Sequence, residues 1–189
     1  MATYKEIQGF AVQNFSQDPV PSVAGWSSGG SLSTARNYLG GAGTLTAGLA
    51  FGGNTPPHTT ATEEYDGSSW TAGGALSTSR TGLGGCGTQT AGLAFGGYTP
   101  PLQNATEEYD GSSWTNGGNL GTARGDIAGA GIQTAALATA GYTSTASNST
   151  EEYDGSSWTS GGNYPASRYS IGSTGTQTAG LGFGGNSGT

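Results

Sequence analysis

The chain has 189 residues, the length of one domain, and its 12 acidic and 5 basic residues give a net charge of −7. This balance argues against a general nucleic-acid binder, because no basic stripe is available to neutralise phosphates. The single cysteine excludes an internal disulfide, and the 38 glycines follow no triplet, which excludes collagen. We expect no membrane insertion and no secretory signal, since no apolar run approaches ~18 residues and the first residues lack the pattern of a signal.

One unit of 44 residues recurs from Trp26 onward without insertion or deletion. The same step of 44 residues separates four tryptophans, namely Trp26, Trp70, Trp114 and Trp158. It also separates the glycine pairs at 29/30, 73/74, 117/118 and 161/162. Four arginines and four leucines follow the same step: Arg36, Arg80, Arg124 and Arg168, and Leu49, Leu93, Leu137 and Leu181. The octet Glu-Glu-Tyr-Asp-Gly-Ser-Ser-Trp occurs whole three times. A period of this length is typical of β-propeller blades, each of which is a four-stranded sheet.

The chain begins with part of a unit. Residues 7–15 alternate well enough to supply a third strand, and Trp26 followed by a glycine pair marks a fourth strand. Pro19 and Pro21 stand where the other units have glutamate and tyrosine, so residues 1–25 could instead form a small extension that docks elsewhere.

Complete units follow, and the one that starts at Arg80 is representative. Its pattern predicts strands over 83–88, 91–95, 106–109 and 113–115, with turns at the glycine pairs and at Asp110-Gly111. Proline cannot join a central ladder, so 100–101 belong to a loop. No window has a 3.6-residue apolar period, and we therefore expect almost no helix. Trp70, Trp114 and Trp158 are predicted to pack between or against blades.

The last unit stops after its second strand. Counted from their arginines, the units give blades at 36–79, 80–123 and 124–167, and a fourth blade in which 168–189 is completed by 1–35. This closure would remove open sheet edges, which invite aggregation. The prediction is a single all-β domain over 1–189, a four-bladed propeller whose ring is closed by the N-terminal segment.

The order of the recurring residues within a unit resembles that of the kelch repeat. In the second complete unit, Phe95-Gly96-Gly97 is followed by Glu108-Tyr109-Asp110, Trp114 and Thr122-Ala123-Arg124. This is the kelch order of a glycine doublet, a spaced tyrosine and tryptophan, and an arginine that opens the next inner strand. The resemblance covers about residues 26–189 and implies a kelch-like propeller. Kelch domains usually have more blades, so the number of four rests on the count of units.

Four of the five basic residues are the repeat arginines, Arg36, Arg80, Arg124 and Arg168. The kelch resemblance implies that they form a ring near the mouth of the central channel. Guanidinium groups bind carboxylate or phosphate through forked hydrogen bonds. If the repeat glutamates lie far from the ring, we expect it to bind an outside anion, such as a carboxylate-bearing sugar or an acidic tail. The alternative is structural: each arginine pairs with a repeat glutamate and holds neighbouring blades together.

The units differ from one another mainly at two places. Tyr38, Asp126 and Tyr169 stand one or two residues after an arginine, and Tyr98 and Tyr142 begin the loop after a second strand. In the kelch arrangement both places share one face. Asymmetry gathered on one face of a symmetric scaffold indicates recognition, although loop drift without function explains it nearly as well. We predict these five residues and the four arginines as ligand-binding residues.

No set of residues predicts catalysis, a metal or a cofactor. Neighbouring glutamates on a strand point to opposite faces, and they recur in every unit, whereas an acid–base couple needs two different environments. Cys86 stands where other units have alanine or threonine, which indicates a crowded position rather than a nucleophile. His58 alone cannot anchor copper or zinc. A hairpin turn explains Asp66-Gly67-Ser68-Ser69 without calcium.

Units rich in Gly, Ser and Thr with Tyr-Asp-Gly-Ser-Ser-Trp and Thr-Ala-Arg resemble the kelch-type repeats of structural proteins from marine bacteriophages, as do residues 1–7. The resemblance implies a non-enzymatic virion component, made in the host cytoplasm, on a tail, fibre or capsid surface. Its implied partners are another virion protein or a host surface glycan. The alternatives are a cellular kelch-type adaptor that binds acidic peptides, and a small carbohydrate-active enzyme such as a lyase or glycosidase.

Overall fold

The computed structural model describes residues 28–188, and these residues are all-β, with no helix and therefore none that could cross a membrane. Their strands are β1 (Gly40–Thr44), β2 (Ala47–Phe51), β3 (Thr62–Tyr65), β4 (Trp70–Ala72), β5 (Gly84–Thr88), β6 (Ala91–Phe95), β7 (Thr106–Tyr109), β8 (Trp114–Asn116), β9 (Ala128–Ile132), β10 (Ala135–Thr139), β11 (Thr150–Tyr153), β12 (Trp158–Ser160), β13 (Gly172–Gly175) and β14 (Gly180–Phe183). The all-β prediction is confirmed.

The strands form three antiparallel four-stranded sheets, β1–β4, β5–β8 and β9–β12, followed by the hairpin β13–β14. We call these the first, second and third sheets and the fourth hairpin. Each sheet is a meander in which strands adjacent in sequence pair with each other. The four strands predicted for the second complete unit agree with β5–β8 to within one residue.

The inner strands β1, β5, β9 and β13 lie side by side in that order, and this contact sets the packing of the sheets. A Cβ atom added to Gly129 on β9 would stand 2.6 Å from the carbonyl oxygen of Gly85 on β5 and 2.7 Å from the ring of Phe95. No larger side chain fits this space. Glycine at position 129 is therefore required by the close approach of the second and third sheets.

Each pair of neighbouring sheets encloses an apolar layer. Between the first and second sheets the buried members are Leu49, Phe51, Leu76, Leu83, Ala94 and Tyr109. The tryptophan of the later sheet packs edge-on against a phenylalanine of the earlier one, with ring centroids 5.0 Å apart for Phe51 and Trp114 and 4.9 Å for Phe95 and Trp158. Trp114 and Trp158 thus pack between sheets, as predicted, although both are only half-buried. Trp70 instead packs against Tyr65 of its own sheet.

Polar side chains of the second and third sheets also form hydrogen bonds with the preceding sheet. Nε1 of Trp114 donates to the hydroxyl of Thr62 at 2.9 Å, and the hydroxyl of Tyr109 donates to the carboxylate of Glu64. Burial and this carboxylate raise the pKa of Tyr109 to about 12, so the phenol keeps its proton. The same two contacts recur one unit later, from Trp158 to Thr106 and from Tyr153 to Glu108.

The fourth hairpin comes last in the row of sheets that the structure describes. No hydrogen-bonded ladder joins it to the first sheet within residues 28–188. Leu181 and Phe183 on β14 are 62% and 55% exposed, whereas Leu93 and Phe95, their counterparts in the second sheet, are fully buried. The strand predicted over 7–15 and the predicted place of Trp26 lie outside the described residues.

Candidate binding site

A left-handed turn opens each inner strand, at the residue two positions after the repeat arginine. The φ angles are 52° at Tyr38, 59° at Gly82, 48° at Asp126 and 53° at Ser170. Glycine adopts this conformation freely, whereas a residue with a side chain is strained by roughly 1 kcal/mol or more. Three of the four units therefore hold a side chain at a strained position, which is a common feature of functional sites.

Short backbone bridges bring the loops after the second strands to the same end of the sheets as these turns. Thr81 bridges to Tyr98, Gly125 bridges to Tyr142, and Tyr169 bridges to Asn186. The turns are also linked to one another across the sheets. For example, the amide of Ser170 donates to the carbonyl of Asp126 at 2.8 Å.

One cavity of about 470 Å³ lies at this end of the molecule. It brings together five of the nine predicted ligand-binding residues, namely Tyr38, Tyr98, Tyr142, Tyr169 and Asp126. Each of the four units supplies one of the tyrosines; Tyr98 and Tyr142 share one position of the repeat, and the other two come from two further positions. Tyr38, Tyr98 and Tyr142 expose 65%, 43% and 40% of their surface. We call this cavity the tyrosine pocket.

Asp126 is the one charged residue among the described residues that line the tyrosine pocket. Its carboxylate lies over Gly82, because a Cβ atom at Gly82 would stand 2.5 Å from Oδ1 of Asp126. The glycine of the second unit thus makes room for the carboxylate of the third. Asp126 is half-buried, and this burial raises the pKa of its carboxyl group.

The repeat arginines are not among the residues that line the tyrosine pocket. The side chains of Arg36, Arg80 and Arg124 have no exposed surface, and each pairs with the first glutamate of its own sheet: Glu63 at 3.0 Å, Glu107 at 2.7 Å and Glu151 at 2.8 Å. The structural alternative expected each arginine to pair with a repeat glutamate, and these three do so; both members of each ion pair belong to the same unit. Burial lowers the pKa of Arg80, and the carboxylate of Glu107 opposes that shift.

Arg168 differs from the other repeat arginines. It is half-buried, it pairs with no carboxylate within residues 28–188, and its Nη1 donates to the carbonyl of Gly185 at 3.3 Å. The expectation of an outside anion depended on glutamates that lie far from the arginines. Since three arginines already hold a glutamate, that condition is not met for them.

Leu102, Thr81, Gly125 and Ser170 also line the tyrosine pocket and were not among the predicted ligand-binding residues. Thr81, Gly125 and Ser170 stand at the positions where the units differ, so that comparison could have found them. Leu102 ends a short loop that returns to Tyr98 through a backbone bridge. No pattern in the sequence predicts that this loop folds back to Tyr98.

Cys86 and the aspartates of the hairpin turns are poor candidates for reactive groups. Cys86 is buried, and its burial raises the pKa of the thiol to about 12, so a thiolate is scarce at neutral pH. Asp110 accepts hydrogen bonds from the backbone and side chains of Ser112 and Ser113, which lower its pKa to about 2 and shape the hairpin turn. No cluster of three potential metal ligands occurs in the part of the chain that the structure describes.

The chain matches no protein-family model, and no curated protein is significantly similar to it.

Proposed function

We propose that this chain is a non-enzymatic, kelch-like binding module that recognises a glycan through the tyrosine pocket. The observation that carries the proposal is the convergence of one tyrosine from each of four units on a single cavity, with Asp126 among them. Tyrosine offers a flat apolar face and a hydrogen-bonding hydroxyl. A sugar ring has the matching properties, since one face of the ring is apolar and its rim carries hydroxyl groups.

The charge of the pocket favours neutral sugars or amino sugars over acidic ones. Asp126 would accept hydrogen bonds from hydroxyl or ammonium groups and would repel a carboxylate. Arg80 and Arg124, which could have attracted an acidic sugar or an acidic peptide, have no exposed surface. This argues against the adaptor alternative. A glycosidase usually needs a pair of carboxyl groups across the scissile bond, and the described residues that line the tyrosine pocket include one carboxyl group.

The biological setting we propose is the surface of a phage virion, where a host glycan would be the natural ligand. Its support is the resemblance of the Gly-, Ser- and Thr-rich units to those of marine phage structural proteins. Genes for tail or capsid proteins beside the gene for this chain would strengthen the proposal, and a neighbourhood of metabolic genes would count against it.

We expect the wild-type protein to bind neutral or amino glycans on an array, and Tyr98→Ala or Tyr142→Ala to weaken that binding by about tenfold or more, as removal of an aromatic anchor commonly does. Leu45→Ala, which alters a residue 90% exposed outside the pocket, is the matched control. Circular dichroism should show the same fold for all variants. Undiminished binding by both tyrosine variants would reject the pocket as the site.

We also propose that the sheets are blades of a closed four-bladed ring, completed by the N-terminal segment. The proposal is supported by Tyr38 of the first unit and Ser170 of the fourth, which line the same cavity. A Cβ at Gly30 would meet the carbonyl of Ser68 at 2.5 Å, as one at Gly74 would meet the carbonyl of Ser112 at 2.2 Å. Gly30 thus stands where the end of a preceding blade is expected.

A groove of about 260 Å³ lies beside the third sheet, and its described lining supports the proposed closure. Thr150 and Glu152 line it, and their counterparts in the earlier sheets accept hydrogen bonds from the following tryptophan and tyrosine. A Cβ at Gly162 would meet nothing within 4 Å among the described residues, whereas one at Gly118 would meet the carbonyl of Ser156 at 2.1 Å. Since Trp26 stands at the same position of the repeat as Trp114 and Trp158, we propose that its side chain occupies this groove.

A double-mutant cycle tests the closure. If Trp26 donates to Thr150 as Trp158 donates to Thr106, then Trp26→Phe and Thr150→Val should be coupled by about 0.5–1.5 kcal/mol in urea unfolding. The cycle of Trp158→Phe with Thr106→Val is the positive control, and the cycle of Trp26→Phe with Thr106→Val should be additive. If the effects of Trp26→Phe and Thr150→Val on the free energy of unfolding were additive while the positive control showed coupling, the proposed closure would be rejected.

A further inference from the structure

A second cavity adjoins the tyrosine pocket. It measures about 360 Å³ and lies between the loop after β10 and the residues that follow β14. Tyr142 and Tyr169 line both cavities, and their rings meet edge to face with centroids 5.6 Å apart. The two tyrosines therefore form a shared wall, with one cavity on each side.

The lining of the second cavity differs from that of the first. Apart from the two shared tyrosines, its side chains include Ser144, Thr145, Ala146 and Ser167, which are small and mostly carry hydroxyl groups. None of the described residues that line it is charged. Small hydroxyl side chains suit hydrogen bonds to the hydroxyl groups of a neutral ligand.

The third unit has this space because its loop differs from the others. The first and second units carry Thr-Pro-Pro-His and Thr-Pro-Pro-Leu after the second strand, and the third carries Thr-Ser-Thr-Ala. In the second unit, Leu102 fills the corresponding corner, since a Cβ at Gly125 would stand 3.1 Å from its Cδ2. Ala146 is the counterpart of Leu102 and leaves that volume free.

We infer that the two cavities are adjacent subsites of one cleft, so that the ligand is an oligosaccharide whose chain crosses the Tyr142–Tyr169 wall. This inference rests on the proposed glycan binding and adds the length of the ligand. Both volumes lie in the range of small-molecule sites, roughly 300–1,000 Å³. A single sugar would fill one subsite only, and its neighbours along the chain would reach the hydroxyl-lined cavity.

The experiment measures affinity against chain length by isothermal titration calorimetry. The probes are β-1,4-linked glucose and β-1,4-linked N-acetylglucosamine, each from monosaccharide to hexasaccharide. Thr145→Phe and Ser167→Phe fill the second cavity from two exposed positions, and Thr115→Phe places the same side chain on an exposed strand elsewhere. We expect affinity to rise by about tenfold or more between monosaccharide and oligosaccharide in the wild type and in Thr115→Phe.

In Thr145→Phe and Ser167→Phe, affinity should no longer increase with the length of the oligosaccharide, whereas the affinity for short probes should be unchanged. A flat dependence on chain length in the wild type, or a rise that survives both filling variants, would overturn the second subsite and leave glycan binding by the tyrosine pocket intact. If neither probe series nor any glycan on the array binds, the proposed function itself fails, and this inference fails with it.

Discussion

Replacing Arg80 by methionine is expected to destabilise the fold by about 3–5 kcal/mol, because the change leaves a buried carboxylate without its partner. Nη1 of Arg80 donates to the carbonyls of Gly96 and Ala105, both at 2.8 Å, and Nη2 donates to Glu107 at 2.7 Å. The second oxygen of Glu107 accepts the backbone amide of Ser77 at 2.7 Å. Methionine can fill much of the volume but can donate none of these bonds. Urea unfolding measures the loss.

Arg168→Met is the matched control. Arg168 occupies the same position of the repeat, is half-buried and holds no carboxylate in the described part of the chain, so the same change should alter stability by less than about 1 kcal/mol. Replacing both members of the buried pair, Arg80→Met with Glu107→Met, should recover part of the loss, since no charge then stays buried. Equal effects of Arg80→Met and Arg168→Met would contradict a buried ion pair in the second sheet.

Trp114→Ala should cost about 3 kcal/mol, at the low end of the range for core aromatics, because part of the ring is in contact with water. The change removes an edge-on contact with Phe51, a tilted contact with Tyr109 at 4.9 Å and the hydrogen bond to Thr62. Trp158→Ala removes the equivalent contacts one unit later and should cost a similar amount.

Two further variants separate the parts of this effect. Trp114→Phe keeps most of the ring contact and loses the N–H donor, so we expect a cost of about 1 kcal/mol. Thr115→Ala changes the exposed neighbour on β8 and should be nearly neutral. Thermal and urea unfolding measure all four proteins. A Trp114→Ala protein as stable as Thr115→Ala would show that this tryptophan does not hold the first two sheets together.

The strands could be predicted from the sequence because glycine, proline and Asp-Gly signals mark the ends of each one. The hydrogen-bond partners of the two neighbouring glutamates could not be predicted from the sequence. Glu107 and Glu108 stand side by side in sequence, and alternation along a strand says only that they face opposite ways. In the structure, Glu107 accepts a hydrogen bond from Arg80 of its own unit, whereas Glu108 accepts one from the hydroxyl of Tyr153 in the next sheet.

The candidate site likewise has some residues that could be predicted from the sequence and some features that could not. Tyr38, Asp126 and Tyr169 were found because they break the repeat, and that signal needs no knowledge of distances. The burial of the arginines could not be predicted this way, since a position at the start of the inner strand does not fix the direction of a long side chain. The second cavity depends on volume that Ala146 leaves free, which becomes apparent only beside Leu102 in three dimensions.

Two kinds of side-chain link between sheets recur at a fixed separation along the chain, 52 residues from tryptophan to threonine and 45 residues from tyrosine to glutamate. A tandem duplication that added one unit to the gene would therefore bring the donors and acceptors of both links to a new boundary. A single change at such a boundary, by contrast, has to be matched in the adjacent unit. The scaffold can thus grow by whole units with little new chemistry, whereas the lining of the tyrosine pocket has to be chosen residue by residue.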